Sequence, residues 1–375
     1  MNSRERYLEA VLFGAPDKIP FEPGHPREKT LKRWHQEGLP AEADWFEFLC
    51  KQIGIPEYSR TELYGIDLIN FKMHPMYEEK VLEHKDGHYI VRDWMGNIVE
   101  ISDEYDYTYI RSPKDFVTRK WHAFPVANRS DFDEMKTRYD PDERVRYPSD
   151  FNALIKKVTS RNPLFTIHFS GPLWQLREWC GFEPMCVLFL EDPEFVLEMV
   201  QFYTDFISRT LRRVLDTGIV DRIWISEDMA YKEKSMISPQ MIRKFLMPAW
   251  SRWISEAKDA GVQILDVDSD GYVGELIPLW IESGFNVCDP MEVAAGNDVI
   301  EFRERYGDQI AFQQGVDKRC IAQGGMVIEN ELERIRPLLN AGGFIPGCDH
   351  GVPDDISWDN FVFYATVLAE MTGWL

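Results

Sequence analysis

The feature that most constrains this chain is a repeated order of segments. A short apolar run is followed by a polar loop with glycine or proline, then by an amphipathic helical stretch. Eight runs read as strands, at residues 18–23, 67–71, 164–169, 222–226, 263–267, 285–288, 309–314 and 343–346. Helical periodicity occupies 193–217, 239–260, 273–283, 299–306 and 328–341. Gly218, Gly261, Gly284, Gly307 and Gly342 close these helices just before the next strand, where a left-handed residue is needed. Strands joined through helices pair in parallel, so the pattern predicts an α/β fold, a (β/α)8 TIM barrel. An open, doubly wound sheet is the alternative.

Residues 77–121 break this rhythm. Alternating runs at 80–84, 88–92, 98–101 and 107–110, with turns at Asp86-Gly87 and Met95-Gly96-Asn97, predict an antiparallel β insertion. Charged helical segments at 131–138 and 149–159 follow it. The expectation is a single barrel domain over residues 1–375 with one insertion.

Composition removes several functions. The 375 residues carry 42 Lys+Arg against 63 Asp+Glu, a formal charge of −21, with no basic block. Such a surface repels nucleic acid and anionic membranes. No run approaches 18 apolar residues, and the opening Met1-Asn-Ser-Arg has no apolar stretch behind its charge. The six cysteines are scattered, with no Cys-x-x-Cys, and read as reduced thiols of a cytoplasmic protein. Gly-x-Gly-x-x-Gly after a strand, a Walker A loop, His-Glu-x-x-His and Gly-x-Ser-x-Gly are all missing. Dinucleotide, P-loop and serine-hydrolase chemistry are thereby disfavoured.

In a parallel barrel, chemistry is built at the carboxyl ends of the strands. Those ends carry Glu22 and His25, His168, Glu227 and Asp228, then Asp266, Asp268 and Asp270. Asp289, Asp317 with Lys318, and Cys348 with His350 complete the rim. Taken singly each has an ordinary explanation: Asp289 as a helix N-cap, His168 as a hydrogen-bonded core residue, Cys348 as packing. Together, Glu227, Asp268, Asp270, Cys348 and His350 have the composition of a divalent metal site, with zinc suited to mixed oxygen, nitrogen and sulfur donors. Glu227, Asp270 and His350 are the candidate catalytic groups. His25, His168, Tyr231, Lys232, Asp317 and Lys318 are the candidates for holding a small-molecule substrate.

Several segments resemble the uroporphyrinogen decarboxylase superfamily. They are Arg4-Glu-Arg-Tyr-Leu-Glu-Ala-Val with Pro16-Asp-Lys-Ile-Pro20, Ser226-Glu-Asp-Met-Ala-Tyr-Lys232, and Leu276-Ile-Pro-Leu-Trp-Ile-Glu-Ser-Gly284. Pro290-Met-Glu-Val-Ala-Ala-Gly-Asn-Asp298, Gly315-Val-Asp-Lys318 and Gly342-Gly-Phe-Ile-Pro346 continue the match. The resemblance implies a barrel, a cytoplasmic location and a homodimer. Its true decarboxylases use an Arg-Gln-Ala-Gly-Arg motif to bind a porphyrinogen; here the stretch is Phe21-Glu-Pro-Gly-His-Pro-Arg27, with one arginine. An acidic rim repels a polycarboxylate. The chain is more similar to the corrinoid-dependent methyltransferase branch. That branch implies methyl transfer from a small methoxylated or methylated compound to a corrinoid supplied by a separate protein. Thiol-directed members hold zinc with His-x-Cys-Gly and a distant Cys, where this chain has Asp268-Ser-Asp270-Gly271 and Gly347-Cys348. The alternative activity is that of a carboxy-lyase on a small carboxylic acid, with Asp270 and His350 as acid and base. A non-catalytic corrinoid- or small-molecule-binding protein is a third reading.

Overall fold

The computed structural model describes residues 1–111 and 117–375. The expected alternation yields a seven-stranded parallel sheet in which sequence order equals spatial order. Its strands are β1 (Leu63–Tyr64), β6 (Leu164–Ser170), β7 (Arg222–Ser226), β8 (Ile264–Asp268), β9 (Val287–Asp289), β10 (Ala311–Gln313) and β11 (Phe344–Ile345). Between β1 and β6 the chain forms a separate antiparallel sheet of β2 (Lys80–Lys85), β3 (His88–Arg92), β4 (Ile98–Ser102) and β5 (Arg119–Ala123). Residues 112–116 of the expected insertion lie outside the described residues.

The six strands from residue 164 onward follow the sequence reading to within one or two residues at most ends. The first two do not. Residues 18–23 form no ladder, because Pro20 and Pro23 each remove an amide donor. The segment stays extended and makes single bonds to both edges of the sheet, from Phe21 N to Ser59 O (3.0 Å) and from Cys348 N to Pro23 O (3.3 Å). The strand expected at 67–71 lies instead at Leu63–Tyr64. Gly65, at φ +101°, turns the chain away, and its missing Cβ leaves room for the Phe165 ring and the Thr166 carbonyl, each 2.9 Å from where that atom would be.

Two smaller expectations also change. Residues 107–110 form a short helical turn, nucleated by Asp106, whose carboxylate accepts from Thr108 N (2.8 Å). The fourth strand of the insertion is β5. The helix expected at 239–260 is two, Pro239–Phe245 and Met247–Asp259, because Pro248 cannot continue a helical ladder.

Helix Ser3–Val11 covers the lower inner face of the parallel sheet. Its Tyr7, Ala10 and Val11 pack on Leu164, Ile264, Val287, Ala311 and Ile345. Above this apolar floor lies a charged layer. Arg222 Nη2 is 2.6 Å from Asp266 Oδ2 and 3.7 Å from Asp289 Oδ2. Gln313 donates to Asp266 (3.0 Å), and the Tyr7 hydroxyl donates to Gln313 (3.1 Å). Asp289 is thus no helix cap, as its isolated position suggested. Asp298 caps the following helix, accepting from Ile300 N.

Burial pushes both aspartates upward in pKa, against the pull of Arg222. Replacing one partner of such a buried cluster leaves uncompensated charge, at a cost of about 3–5 kcal/mol. Arg222→Met is therefore expected to lower unfolding free energy by that order, read by chemical denaturation, while an exposed-pair change such as Arg336→Met shifts it by less than about 1 kcal/mol.

Candidate active site at the carboxyl ends of the strands

In β7 and β8 the inward positions alternate, and the register pairs Ser226 with Asp268 and Asp268 with Asp289. The Ser226 hydroxyl donates to Asp268 Oδ2 (2.7 Å) and meets His168 Nε2 on β6 at 2.9 Å. At the end of β8 and just beyond the ends of β7 and β8, Asp268, Asp228 and Asp270 converge, each offering an oxygen within 4.8 Å of the others. Asp228 reaches the group from a left-handed backbone (φ +42°), and its Oδ1 accepts from Asp270 N at 3.2 Å.

Like charges this close need counter-charge. Arg177 lies 3.8 Å from Asp228 and donates to its carbonyl at 3.2 Å. His350 Nε2 sits 3.2 Å from Asp270 Oδ2. Burial and the neighbouring carboxylates push Asp268 up to about 7 and raise Asp228. For Asp270, burial acts upward, but the His350 hydrogen bond and charge outweigh it and hold the carboxyl low. In return, the bond to Asp270 overcomes burial and raises His350.

Other sequence candidates lie elsewhere. Glu227 is fully buried and its carboxylate is taken up away from the three aspartates. Oε1 accepts from Trp250 Nε1 (2.6 Å), and Oε2 from the amides of Leu173 and Trp174 (3.1 and 3.3 Å). It thus serves the first turn of helix Pro172–Cys180, with burial pushing it to about 8. A Cβ on Gly171 would lie 2.1 Å from its carboxyl carbon, so this approach requires glycine there.

Cys348 is buried, with its thiol pushed up to about 12, and does not join the cluster. Asp317 caps helix Lys318–Gln323 and pairs with Arg319. Lys318 binds Glu292 (3.1 Å) and Asp349 (3.5 Å), and Glu292 in turn accepts from Gly271 N beside Asp270. Tyr231 is 58% exposed and contributes its carbonyl to Tyr272 N rather than a side chain to the cluster. Lys232 is exposed as well, so the geometry brings neither to the aspartates.

His25 lies against Arg60 and edge-on to Trp45, 6.0 Å between rings, and although its side chain is still reached by solvent, the crowding around the ring and the Arg60 charge lower it from the usual imidazole range. With Cys348, His350 and Arg222 it lines a cavity of about 240 Å³ along the inner face of the sheet.

A larger cavity, about 800 Å³, lies between the insertion and β6. One wall carries His168, Ser170 and Trp174, and the other carries Trp94 and Arg119 from the insertion. None of the three aspartates lines this cavity. It is linked to them by the chain His168–Ser226–Asp268 and by Trp174, whose ring lies 4.4 Å from the Arg177 guanidinium.

Asp228 and Arg177 were not singled out as site residues. The signal for Asp228 was present. Alternation carried one step past inward-facing Ser226 turns Glu227 outward and Asp228 inward. Arg177 sits on a helix and reaches the site through tertiary packing, which no local pattern announces.

A parallel α/β sheet with side chains converging at its carboxyl edge defines a class of α/β proteins that carry their sites at strand ends. Within that class, residues 120–370 match the uroporphyrinogen decarboxylase (URO-D) family model, and the chain belongs to that family. Among solved structures, a methyltransferase from Methanosarcina mazei shares the fold, with TM-score 0.56 and 12% identity over 99% of this chain and 98% of that one. A B12-independent methionine synthase from Shewanella sp. W3-18-1 aligns with TM-score 0.36 and 13% identity over 61% of this chain and 67% of that one. No curated protein matches the sequence.

His168 is held at about 4, chiefly by burial and secondarily by Arg222. Its neutral form is therefore favoured in the folded state, and stability from this residue is present above about pH 6.5 and lost as pH falls toward 4. His168→Gln removes that loss. Relative to wild type, the variant is expected to gain up to about 3 kcal/mol of unfolding free energy between pH 7 and pH 4, read from denaturation curves.

Proposed function

We propose that this protein is a methyltransferase that moves a methyl group from a small methoxylated or methylated compound to a corrinoid carried on a separate protein. The observation that carries the reading is the meeting of Asp228, Asp268 and Asp270 beside His350, joined through Ser226 and His168 to a large cavity, in a member of the URO-D family. The absence of a porphyrin-binding arginine motif turns the reading away from decarboxylation of a polycarboxylate. The fold shared with a solved methyltransferase is consistent with it.

The three carboxylates suit a divalent cation. An all-oxygen set fits magnesium or manganese better than the zinc that a Cys348 ligand would favour. Such an ion would act as a Lewis acid toward the heteroatom that loses its methyl group. His350, with Nε2 against Asp270, is placed to hold the proton that a leaving oxygen takes up. His168 and Trp174 bind the donor from the β6 side, and the insertion shields it from water. Lys318 positions the loop of Asp270 through Glu292.

The same reading extends to the architecture. Residues 18–26 act as the remaining stave of a closed (β/α)8 barrel, and residues 1–375 form one domain with a single insertion. The protein works in the cytoplasm as a homodimer. Among the described residues, no helix is long and apolar enough to cross a membrane.

Titration calorimetry of tag-free protein with manganese, magnesium and zinc is the direct test. One site per chain is expected, weakened at least tenfold in Asp268→Asn. His350→Gln is expected to reduce methyl transfer from a methoxylated donor to Co(I) corrinoid at least a hundredfold while shifting the melting temperature by less than about 2 °C. Absence of any metal binding, or full activity in His350→Gln, overturns the reading.

A further inference from the structure

Two stretches run against the charge of the chain. Residues 144–161 and 209–213 together hold eight Lys and Arg against one acid, Asp150, in a protein of net charge −21. The fold brings them side by side. Helix Phe151–Arg161 and its entry segment meet the later turns of helix Pro193–Leu215, where the Arg213 guanidinium lies 4.7 Å over the Tyr147 ring and 4.6 Å over Phe151. The Tyr147 hydroxyl donates to the Thr210 carbonyl at the same junction.

Of the eight cations, Arg146 is buried and donates to the carbonyls of Asn70 (3.1 Å) and Asp140 (2.8 Å). The other seven are exposed. Arg161 pairs with Glu62, and Arg209 with Asp142. Among the described residues, Arg144, Lys156, Lys157, Arg212 and Arg213 have no carboxylate partner.

Beside this patch runs an apolar trough of about 600 Å³. Leu63, Tyr64 and Ile66 form one lip, and Val145, Tyr147 and Leu154 form the other. Leu63 is 41% and Val145 38% exposed, so the trough leaves apolar surface in water. Leu154, Lys157 and Arg161 stand at i, i+3 and i+7 of their helix, which places cations along the same side as the lip. Ile66, Asp67 and Asn70 line this trough and the 800 Å³ cavity alike.

Gathered cations without partners repel one another, and apolar side chains left open beside them forgo the gain of burial. An acidic segment with apolar side chains answers both. A second copy on a twofold axis does not, because each subunit would set this patch against the same patch of the other. An anionic bilayer must approach a whole flank of a molecule of charge −21, whereas a protein segment has to match the trough alone.

We propose that this trough is the docking site for an acidic amphipathic segment of a separate protein, with its apolar side chains between Leu63 and Val145 and its carboxylates on Lys157 and Arg213. The surface is distinct from the aspartates at the strand ends and does not depend on the reaction assigned to them. The loop of Ile66, Asp67 and Asn70 stands between the docked segment and the large cavity. This is recognition of a segment in a groove, with apolar anchors for affinity and charge for choice of partner.

Fluorescence anisotropy on the full-length protein tests this with a short labelled peptide of glutamate that carries leucine at every third or fourth place. A version with lysine for glutamate and a leucine-free glutamate peptide are the controls. Wild type is expected to bind the acidic amphipathic peptide at least about tenfold more tightly than either control, and to lose affinity as salt is raised. Lys157→Glu with Arg213→Glu is expected to weaken binding at least about tenfold and Val145→Ser about threefold, while the remote pair Arg305→Glu with Arg336→Glu, of equal charge change, leaves it within about twofold. If the Arg213 variant melts below wild type, Arg144→Glu with Lys157→Glu decides. Unchanged binding in the patch variants, or an equal loss in the remote pair, overturns the proposal. A dimer that the same patch substitutions split into monomers in sedimentation overturns it in favour of a contact between copies. Tighter binding to phosphatidylserine vesicles than to the peptide overturns it in favour of a membrane surface.

Discussion

The Arg222 guanidinium, set between Asp266 and Asp289 inside the parallel sheet, is the interaction on which the rest of the molecule depends. One cation ties β7 to β8 and β9, and Gln313 extends the tie to β10. Because side chains alternate along a strand, fixing Asp266 inward also fixes Asp268 inward, two residues nearer the mouth. A slip of one residue would turn Asp266 and Asp268 out among the helices and bring Val267 in. The charged layer therefore supplies register as well as cohesion. The acidic group at the carboxyl ends is the next inward step of the same rows.

Above that layer the charge balance changes sign. In the middle of the sheet one arginine faces two aspartates, while at the mouth three aspartates share Arg177 and His350. Burial first, and then their mutual repulsion, raise Asp228 and Asp268, and only Asp270, with His350 in contact, is held low. An arrangement of this kind is costly to keep without an additional positive charge. That cost is the physical reason to look for a cation at Asp228, Asp268 and Asp270, and it explains why neighbouring Glu227 belongs to a different task. Turned the other way along the chain, Glu227 meets Trp250 and the start of helix Pro172–Cys180, locking the loop that presents Trp174.

The parts of this architecture that local chemistry dictates were legible in the sequence. From residue 164 onward, each strand is a short, largely apolar run followed in the chain by a helix, and those boundaries recur in the structure to within one or two residues at most strand ends. Where the reading departed, a specific group intervened. Prolines at 20 and 23 removed the donors of a regular strand, Gly65 ended β1 early, and Asp106 captured the amide of Thr108 to make a turn from an aromatic run. The acidic rim was legible as a concentration of residue types. Its membership was less so, because choosing Asp228 over Glu227 requires knowing that Ser226 faces inward, and placing Arg177 requires the tertiary fold.

The two sheets divide the work between them. The parallel sheet contributes groups fixed by ladder register and buried charge, so Asp268, Ser226 and His168 have little freedom to drift relative to one another. The insertion has a separate core of only a few buried apolar side chains and reaches the main body through side-chain contacts such as Tyr109 with Glu28. Groups that need fixed geometry belong on the first, and variation is easier on the second, where substitutions leave the register of the main sheet untouched. A pocket wall outside the family match can change its charge and shape while the aspartates behind it stay in place. The wall is then the variable part, and the acidic group at the strand ends is a property of the fold.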